Sequence, residues 1–171
     1  LMTNYRQAFV MLGQYYANSP TQSRKVVEVM DRMEHVIPRS VFAMDYRTKT
    51  FVASLYSQAG DQERFRELSM EIVNELKPIV DRGVAEPLYA DNPYVVLLQT
   101  YETLEMYDEA LKLVDVIRAT YAREQGIDEV TNQIRARIQA ERRMTGARDT
   151  AAQMAPLEEK AADVKPATKG K

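Results

Sequence analysis

The feature that most constrains the fold is a series of helix-length segments whose apolar residues recur every three to four positions. This spacing places apolar side chains on one face of a helix. In the first segment, TNYRQAFVMLGQYYAN, the apolar residues are Tyr5, Ala8, Phe9, Leu12, Tyr15 and Tyr16. Later segments repeat the pattern, and the one that begins after Gly126 is the seventh. The sequence therefore predicts an all-α chain.

Short turns that carry helix-capping residues separate these segments and pair them into hairpins. Ser19, followed by Pro20 and by Gln22 three positions after the serine, is typical of a capping box. Gly60 and Asp61 end one helix and begin the next, and Asn92-Pro93 begins another. We expect the fourth helix to end before Pro78, because the residue that precedes a proline avoids the helical region, although Ile79-Val80 and Val84 could extend it by one turn.

The composition excludes several classes of function. The chain of 171 residues has no cysteine, one histidine and a net charge of −2. The lack of cysteine removes disulfides, thiolate zinc sites and cysteine nucleophiles. The balanced charge gives no general attraction to nucleic acid. Glycine-rich phosphate loops and acidic loops with calcium spacing are missing from the sequence, so we expect no cofactor and no metal.

The stretch MEHVIPRSVFAMDYR, residues 33–47, holds the single histidine, His35. A Ser-His-Asp triad with Ser40 and Asp45 is one interpretation, but no nucleophile elbow surrounds the serine. We interpret the stretch instead as a joint between two helices. His35 ends one helix, Pro38 stops it, Val41 to Met44 form an apolar plug, and Asp45 caps the next helix.

Charged clusters elsewhere are interpreted as solvated helix faces. Glu102 with Glu105, and Asp108 with Glu109, have the spacing of paired carboxylates but lie on predicted hairpins. The arginines between Arg135 and Arg143 could contact phosphates, yet they lack interleaved aromatic residues and include Glu141. We expect this segment to be a capping helix that covers the last hairpin. No catalytic residue is predicted, and this chain by itself is not expected to be an enzyme.

Three hairpins in a row resemble the tetratricopeptide-repeat family. Tyr16, Tyr56 and Tyr101 align, with Leu12, Val52 and Leu97 four residues earlier, and the third hairpin adds Ala110. The intervals exceed the ~34 residues of the standard repeat. The resemblance implies antiparallel helical hairpins stacked as a short right-handed superhelix, with about three hairpins plus a C-terminal capping helix. The domain would span 1–144, and 145–171, where the apolar period is lost, would be a disordered tail.

In that family the first helices of successive hairpins line a concave groove. Carrying those positions over gives a predicted binding groove of Gln14, Arg47, Thr50, Ser54, Gln58, Gln99 and Thr103. A polar groove of this kind would bind an extended peptide or a chain end of a partner protein. Arg47 is the natural partner there for a carboxylate or phosphate.

A second resemblance concerns NYRQAFVMLGQYY, MEHVIPRSVFAMDY and LYSQAGDQERFREL, within residues 4–125. These segments are similar to the soluble C-terminal region of large bacterial multi-pass membrane proteins that resemble protein O-mannosyltransferases. With a first residue that is not methionine, we expect a piece of such a protein, attached to the membrane only through a preceding part. The compartment stays open, with the extracytoplasmic side as one option.

Three functions follow from the two resemblances. The leading one is a non-catalytic module for protein–protein contacts, appended to a membrane glycosyltransferase-like protein. The second is a domain that binds a glycan or a lipid-linked donor for that enzyme, which would require a tyrosine such as Tyr15 or Tyr46 exposed beside the groove. The third is a structural spacer without a pocket.

Overall fold

The computed structural model describes the backbone of residues 2–83 and 87–162, and the side chains of residues 4–19, 21–83 and 87–146. Throughout these ranges the regular structure is helical and no strand occurs, which confirms the predicted all-α class. The α-helices are α1 (Met2–Ala17), α2 (Ser23–Val36), α3 (Tyr46–Gln58), α4 (Gln62–Asp81), α5 (Pro93–Thr103), α6 (Tyr107–Thr120) and α7 (Ile127–Ala162).

The chain divides into two compact units, Leu1–Met106 and Tyr107–Lys171. The boundary falls between α5 and α6, the helices of the predicted third hairpin. The stacking of three hairpins into one superhelix over 1–144 therefore stays a prediction. The predicted tail, 145–171, overlaps the end of α7, and its residues after 162 lie outside the described part. Alanine, which favours helices, is common in this part of α7.

The first unit is built from two helical hairpins and a fifth helix. α1 packs on α2, α3 packs on α4, and α5 packs on α4. Met30, Met33, Leu55, Tyr56 and Leu68 lie among the fully buried side chains at the centre of this unit. The apolar residues that recur every three to four positions are buried in both α4 and α5. They are Phe65, Leu68, Ile72 and Leu76 in α4, and Tyr94, Leu97, Leu98 and Tyr101 in α5.

The predicted apolar face of α1 is confirmed only in part. Phe9 and Tyr16 are half-buried against the core, but Tyr5, Leu12 and Tyr15 are exposed. The buried positions of this helix include Val10 and a charged residue, Arg6. Arg6 is buried because its guanidinium donates to three backbone carbonyls of the segment between α2 and α3. An apolar pattern cannot indicate such a residue, since its burial depends on distant hydrogen-bond acceptors.

Most predicted helix ends are confirmed. Asp45, Asp61 and Asn92 each accept a hydrogen bond from a backbone N–H in the first turn of α3, α4 and α5, respectively. Gly60 has φ +85°, the left-handed conformation that a helix end at this position requires. α2 ends at Val36, before Pro38, as predicted.

Two predicted helix ends are wrong. The capping box at Ser19 is not formed, because residues Pro20–Gln22 make a short 3-10 turn in which the Ser19 side chain caps no N–H group. Pro78 does not end α4, which continues to Asp81. Proline removes one hydrogen bond from this last turn. Val80 offsets that loss, since its side chain is buried and its carbonyl accepts from the Tyr94 hydroxyl at 3.4 Å.

The joint between α2 and α3 differs from the predicted apolar plug. Met44 is buried at 4% exposure, but Val41 and Phe42 are exposed at 68% and 38%. The segment is held through its backbone instead. The N–H groups of Val41 and Phe42 donate to the Pro38 carbonyl, and the Arg6 guanidinium donates to three backbone carbonyls of the same segment.

The second unit pairs α6 with α7. Ala110, Val114, Ile117 and Ile138 are its buried apolar residues, and Thr131 is buried while Val130 is exposed. Two arginines of α7 take part in ion pairs. Arg135 pairs with Asp115, and Arg142 pairs with Asp108 at 2.9 Å.

Candidate functional pocket

A pocket of about 270 Å³ lies in the first unit, bounded by α3, α4 and α5. It is lined by Thr50, Ala53, Ser54, Ser57, Gln58, Phe65, Ser69, Ile72, Val96, Gln99, Thr100 and Thr103. Five of the seven predicted groove residues are among them, namely Thr50, Ser54, Gln58, Gln99 and Thr103. The structure therefore brings together residues from two helices that the repeat pattern assigned to one groove.

The floor of the pocket is apolar and comes largely from α4. Phe65 and Ile72 are buried core residues, and Val96 of α5 and Ala53 of α3 extend the apolar surface. Ser69 lies between Phe65 and Ile72 in the sequence of α4 and is only 3% exposed. Its hydroxyl is one more polar group of the lining, and it can donate as well as accept.

Four hydroxyls of the walls already use their protons within their own helices. Thr50 donates to the Tyr46 carbonyl at 2.8 Å, and Ser54 donates to the Phe51 carbonyl at 2.7 Å. Thr100 and Thr103 do the same on α5, each at 2.7 Å. A hydroxyl has one proton and two lone pairs, so each of these oxygens faces the pocket mainly as an acceptor.

Gln58 and Gln99 supply the carboxamide groups of the pocket, one from α3 and one from α5. Both side chains are exposed, and neither carboxamide has a hydrogen-bond partner in the part of the chain that the structure describes. A carboxamide carries two donor hydrogens and an acceptor oxygen. It can therefore pair with a peptide N–H and a peptide C=O together.

None of the described residues of the lining carries an ionised side chain. A charged ligand would lose hydration there without gaining an opposite charge, which costs free energy. The pocket therefore suits an uncharged ligand that offers hydrogen-bond donors and a compact apolar group.

Two predicted groove residues lie outside this lining. Arg47 lies in the first turn of α3, where its Nε donates to the Asp91 carboxylate at 3.0 Å and its guanidinium lies 4.7 Å from the Tyr46 ring centroid. Gln14, on α1, donates to the Asn18 side chain at 3.4 Å. The structure thus does not bring the predicted cation to the pocket.

The two tyrosines that would distinguish glycan binding are not at the pocket either. Tyr46 is 8% exposed and its hydroxyl donates to the Asp91 carbonyl at 2.9 Å. Tyr15 is exposed, but it lies on α1 beside Tyr16, with ring centroids 5.5 Å apart. Phe65 is the aromatic residue of the lining, and it is buried in the floor.

The joint shows no catalytic arrangement. His35 is exposed in the last turn of α2, and the Asp45 carboxylate accepts from both the N–H and the hydroxyl of Thr48 at 3.0 Å. Burial alone would raise the pKa of Asp45, but these hydrogen bonds lower it below its ordinary value. Among the described residues, no group of three or more His, Asp or Glu side chains could hold a metal ion.

Sequence reasoning missed an ionic cluster that ties the joint to α4. Arg39 pairs with Glu34 and Glu67, each at 3.0 Å, and with Glu71 at 3.3 Å. Lys49 joins the same cluster through Glu71 at 3.3 Å. Burial raises the pKa of Glu34, although Arg39 opposes this effect, and one Glu34 oxygen is buried without a hydrogen-bond partner in the described part. The four-residue spacing of Glu67 and Glu71, which places both on one face of α4, was the sequence signal that could have indicated this cluster.

A buried hydroxyl also holds α2 to α3 and α4. The Tyr56 hydroxyl donates to the Asp31 carboxylate at 3.0 Å, and Arg64 lies 3.6 Å from the same carboxylate. Burial and the charge of Asp31 raise the pKa of Tyr56, so the hydroxyl keeps its proton and remains a donor. This contact holds α3, the helix that forms one wall of the pocket, against α2 and α4.

In the helices that the structure describes, no stretch is both long and apolar enough to cross a bilayer. A scan against protein-family models found no match, and searches of curated proteins and of solved structures found no match either.

Proposed function

We propose that the first unit is a non-catalytic module that mediates protein–protein contacts by holding a segment of a partner protein in the pocket of α3, α4 and α5. One observation carries this proposal: five polar residues that a repeat pattern assigns to one groove lie together around an uncharged pocket with an apolar floor. A structural spacer would need no such convergence of side chains from separate helices.

The volume supports a chain segment over a cofactor. About 270 Å³ is below the ~300–1,000 Å³ typical of sites that enclose a whole small molecule. A pocket of this size accommodates one side chain and its adjoining backbone, with the rest of the partner outside. The lack of an exposed aromatic platform in the lining gives the glycan-binding alternative no support at this site.

We further propose that the module is an appendage of a bacterial membrane glycosyltransferase-like protein. This rests on the resemblance of NYRQAFVMLGQYY, MEHVIPRSVFAMDY and LYSQAGDQERFREL. Reading the complete open reading frame tests it. Several transmembrane segments before this region would support the proposal, and a frame without them would refute it.

A peptide library displayed on phage and panned against the 171-residue chain tests the pocket. Ser54→Tyr places an aromatic ring in the lining, and Asn74→Tyr adds the same ring at an exposed position of α4 outside it. We expect enriched peptides to bind the wild-type protein and Asn74→Tyr alike, and to bind Ser54→Tyr at least about tenfold more weakly. Far-UV circular dichroism verifies that both variants are folded. Equal binding to all three proteins would refute the use of this pocket.

A further inference from the structure

The donors and acceptors of the pocket specify what kind of segment it accepts, and this inference rests on the function proposed above. We infer that the pocket binds an internal, extended, uncharged stretch of polypeptide. One aliphatic side chain of that stretch lies on the apolar floor, and its backbone N–H groups donate to the side-chain oxygens of the walls.

The hydrogen-bonding groups of the pocket match a ligand that offers both donors and acceptors. The oxygens of Thr50, Ser54 and Thr103 have committed their protons to helix carbonyls and present lone pairs. The carboxamides of Gln58 and Gln99 add two acceptor oxygens together with donor hydrogens. Peptide N–H groups are the neutral donors that a polypeptide offers at every residue.

The same hydrogen-bonding groups favour an extended backbone in the ligand. In a helical ligand the backbone N–H groups are already bonded within the helix and cannot reach the wall oxygens. In an extended segment they point sideways and remain free to pair, and alternate side chains point to opposite sides. One side chain can then enter the pocket while its neighbours face solvent.

Charge excludes chain ends and phosphorylated residues. A carboxylate or phosphate would meet no cation, because Arg47 is outside the lining and pairs with Asp91 at 3.0 Å. A lysine side chain would meet no carboxylate in the lining. The expected partner is therefore an internal stretch with small polar residues around one leucine, isoleucine or valine.

The floor accounts for the preference for an aliphatic residue. Ile72, Val96 and Ala53 offer aliphatic surface, and Phe65 offers a ring that is itself part of the buried core. Removing an aliphatic side chain from water onto this surface is favourable, by about 25 cal/mol per Å² of apolar area. A larger aromatic side chain would fill the volume and displace the backbone from the wall oxygens.

Titration of synthetic peptides into the ¹⁵N-labelled 171-residue chain tests the inference. The reference peptide is a pentapeptide with the sequence glycine, serine, leucine, serine, glycine, acetylated at its N-terminus and amidated at its C-terminus. Three relatives differ in one respect each: the first has an N-methylated leucine, the second has aspartate in place of leucine, and the third ends in a free carboxylate directly after leucine. Backbone shifts at Ser54, Gln58 and Gln99, followed up to about 10 mM peptide, report binding.

We expect the reference peptide to bind and each relative to bind about tenfold more weakly. N-methylation removes one donor, and the other two changes place a charge against acceptor oxygens. Ser54→Tyr should abolish the shifts, whereas Arg47→Glu should leave them unchanged. Equal binding of the N-methylated peptide, or tighter binding of the free acid, would overturn the inference. Binding by none of the four would also overturn it, and the phage selection decides separately whether the pocket binds a protein segment of another kind.

Discussion

Replacing Arg6 by methionine should destabilise the first unit more than any other single change of a charged residue on α1 or α2. The side chain is 6% exposed. Its guanidinium donates to the Phe42 carbonyl at 2.7 Å, the Ala43 carbonyl at 3.1 Å and the Ile37 carbonyl at 3.2 Å. Methionine has a similar length and fills the space, but it donates no hydrogen bond.

The size of the expected loss of stability depends on which of the three carbonyls can form a hydrogen bond with water once Arg6 is replaced. Phe42 and Ala43 are exposed residues, so their carbonyls can exchange Arg6 for solvent at small cost. Ile37 is 2% exposed, and its carbonyl would remain without a donor, which costs about 1–3 kcal/mol. The loss of order in the joint adds about 1 kcal/mol. Removing a buried charge whose Nε has no partner in the described part recovers some of this. We expect a net loss of about 2–3 kcal/mol.

Urea unfolding followed by far-UV circular dichroism measures the loss, and amide hydrogen exchange at Val41 and Phe42 assigns it to the first unit. The exchange measurement is needed because two units need not unfold together. Arg32→Met is the matched control, since Arg32 is exposed on α2, and it should change the free energy of unfolding by less than about 0.5 kcal/mol. A loss for Arg6→Met no larger than that of the control would refute the reasoning.

Three further changes test other contacts of the same unit. Asn92→Ala should cost about 2 kcal/mol in urea unfolding, because Asn92 is buried and caps α5 through the Tyr94 N–H at 2.8 Å; an unchanged midpoint would contradict this. Asp45→Asn should lower stability at pH 6, and this loss should shrink as the pH falls below 3.8. The folded pKa of Asp45 is below its ordinary value of 3.8, so its contribution is present above that value and is lost as the pH falls through the folded pKa. A gap between wild type and variant that does not shrink below pH 3.8 would contradict the assignment. Gly13→Leu should lower the melting temperature, because a Cβ there lies 2.6 Å from the terminal methyl group of Met30, and Gly13→Ala should lower it less.

Helices and their ends were largely predictable because they depend on residues close together in the sequence. Asp45, Asp61 and Asn92 cap helices that begin one residue later, and such pairings are visible in a few letters. Pro78 shows the limit of this reasoning. Its local preference against a helix is outweighed by the burial of Val80 two residues later, which depends on the packing of the whole unit.

The face of α1 could not be predicted, because two faces of this helix carry apolar residues. The series with Tyr5, Leu12 and Tyr15 is the stronger pattern, yet it is exposed. The choice is made by Gly13, whose missing side chain allows the close approach of Met30 and Leu55, and by Arg6, whose acceptors lie more than 30 residues away in the sequence. Neither effect leaves a periodic signal.

The location of the pocket could be predicted from the sequence, but its charge and its hydrogen-bonding groups could not. Arg47 and Ser54 are seven residues apart on α3, so helix periodicity places them on one stripe, and sequence reasoning made the groove cationic. The structure pairs Arg47 with Asp91, a residue of the loop before α5. That pairing neutralises the arginine at one end of α3, while the hydroxyls farther along the helix face the pocket as acceptors. The sequence pattern predicted a groove for a carboxylate, whereas the described lining suits an uncharged segment whose N–H groups donate to these hydroxyls, and the response of binding to Arg47→Glu and to an N-methyl group separates the two.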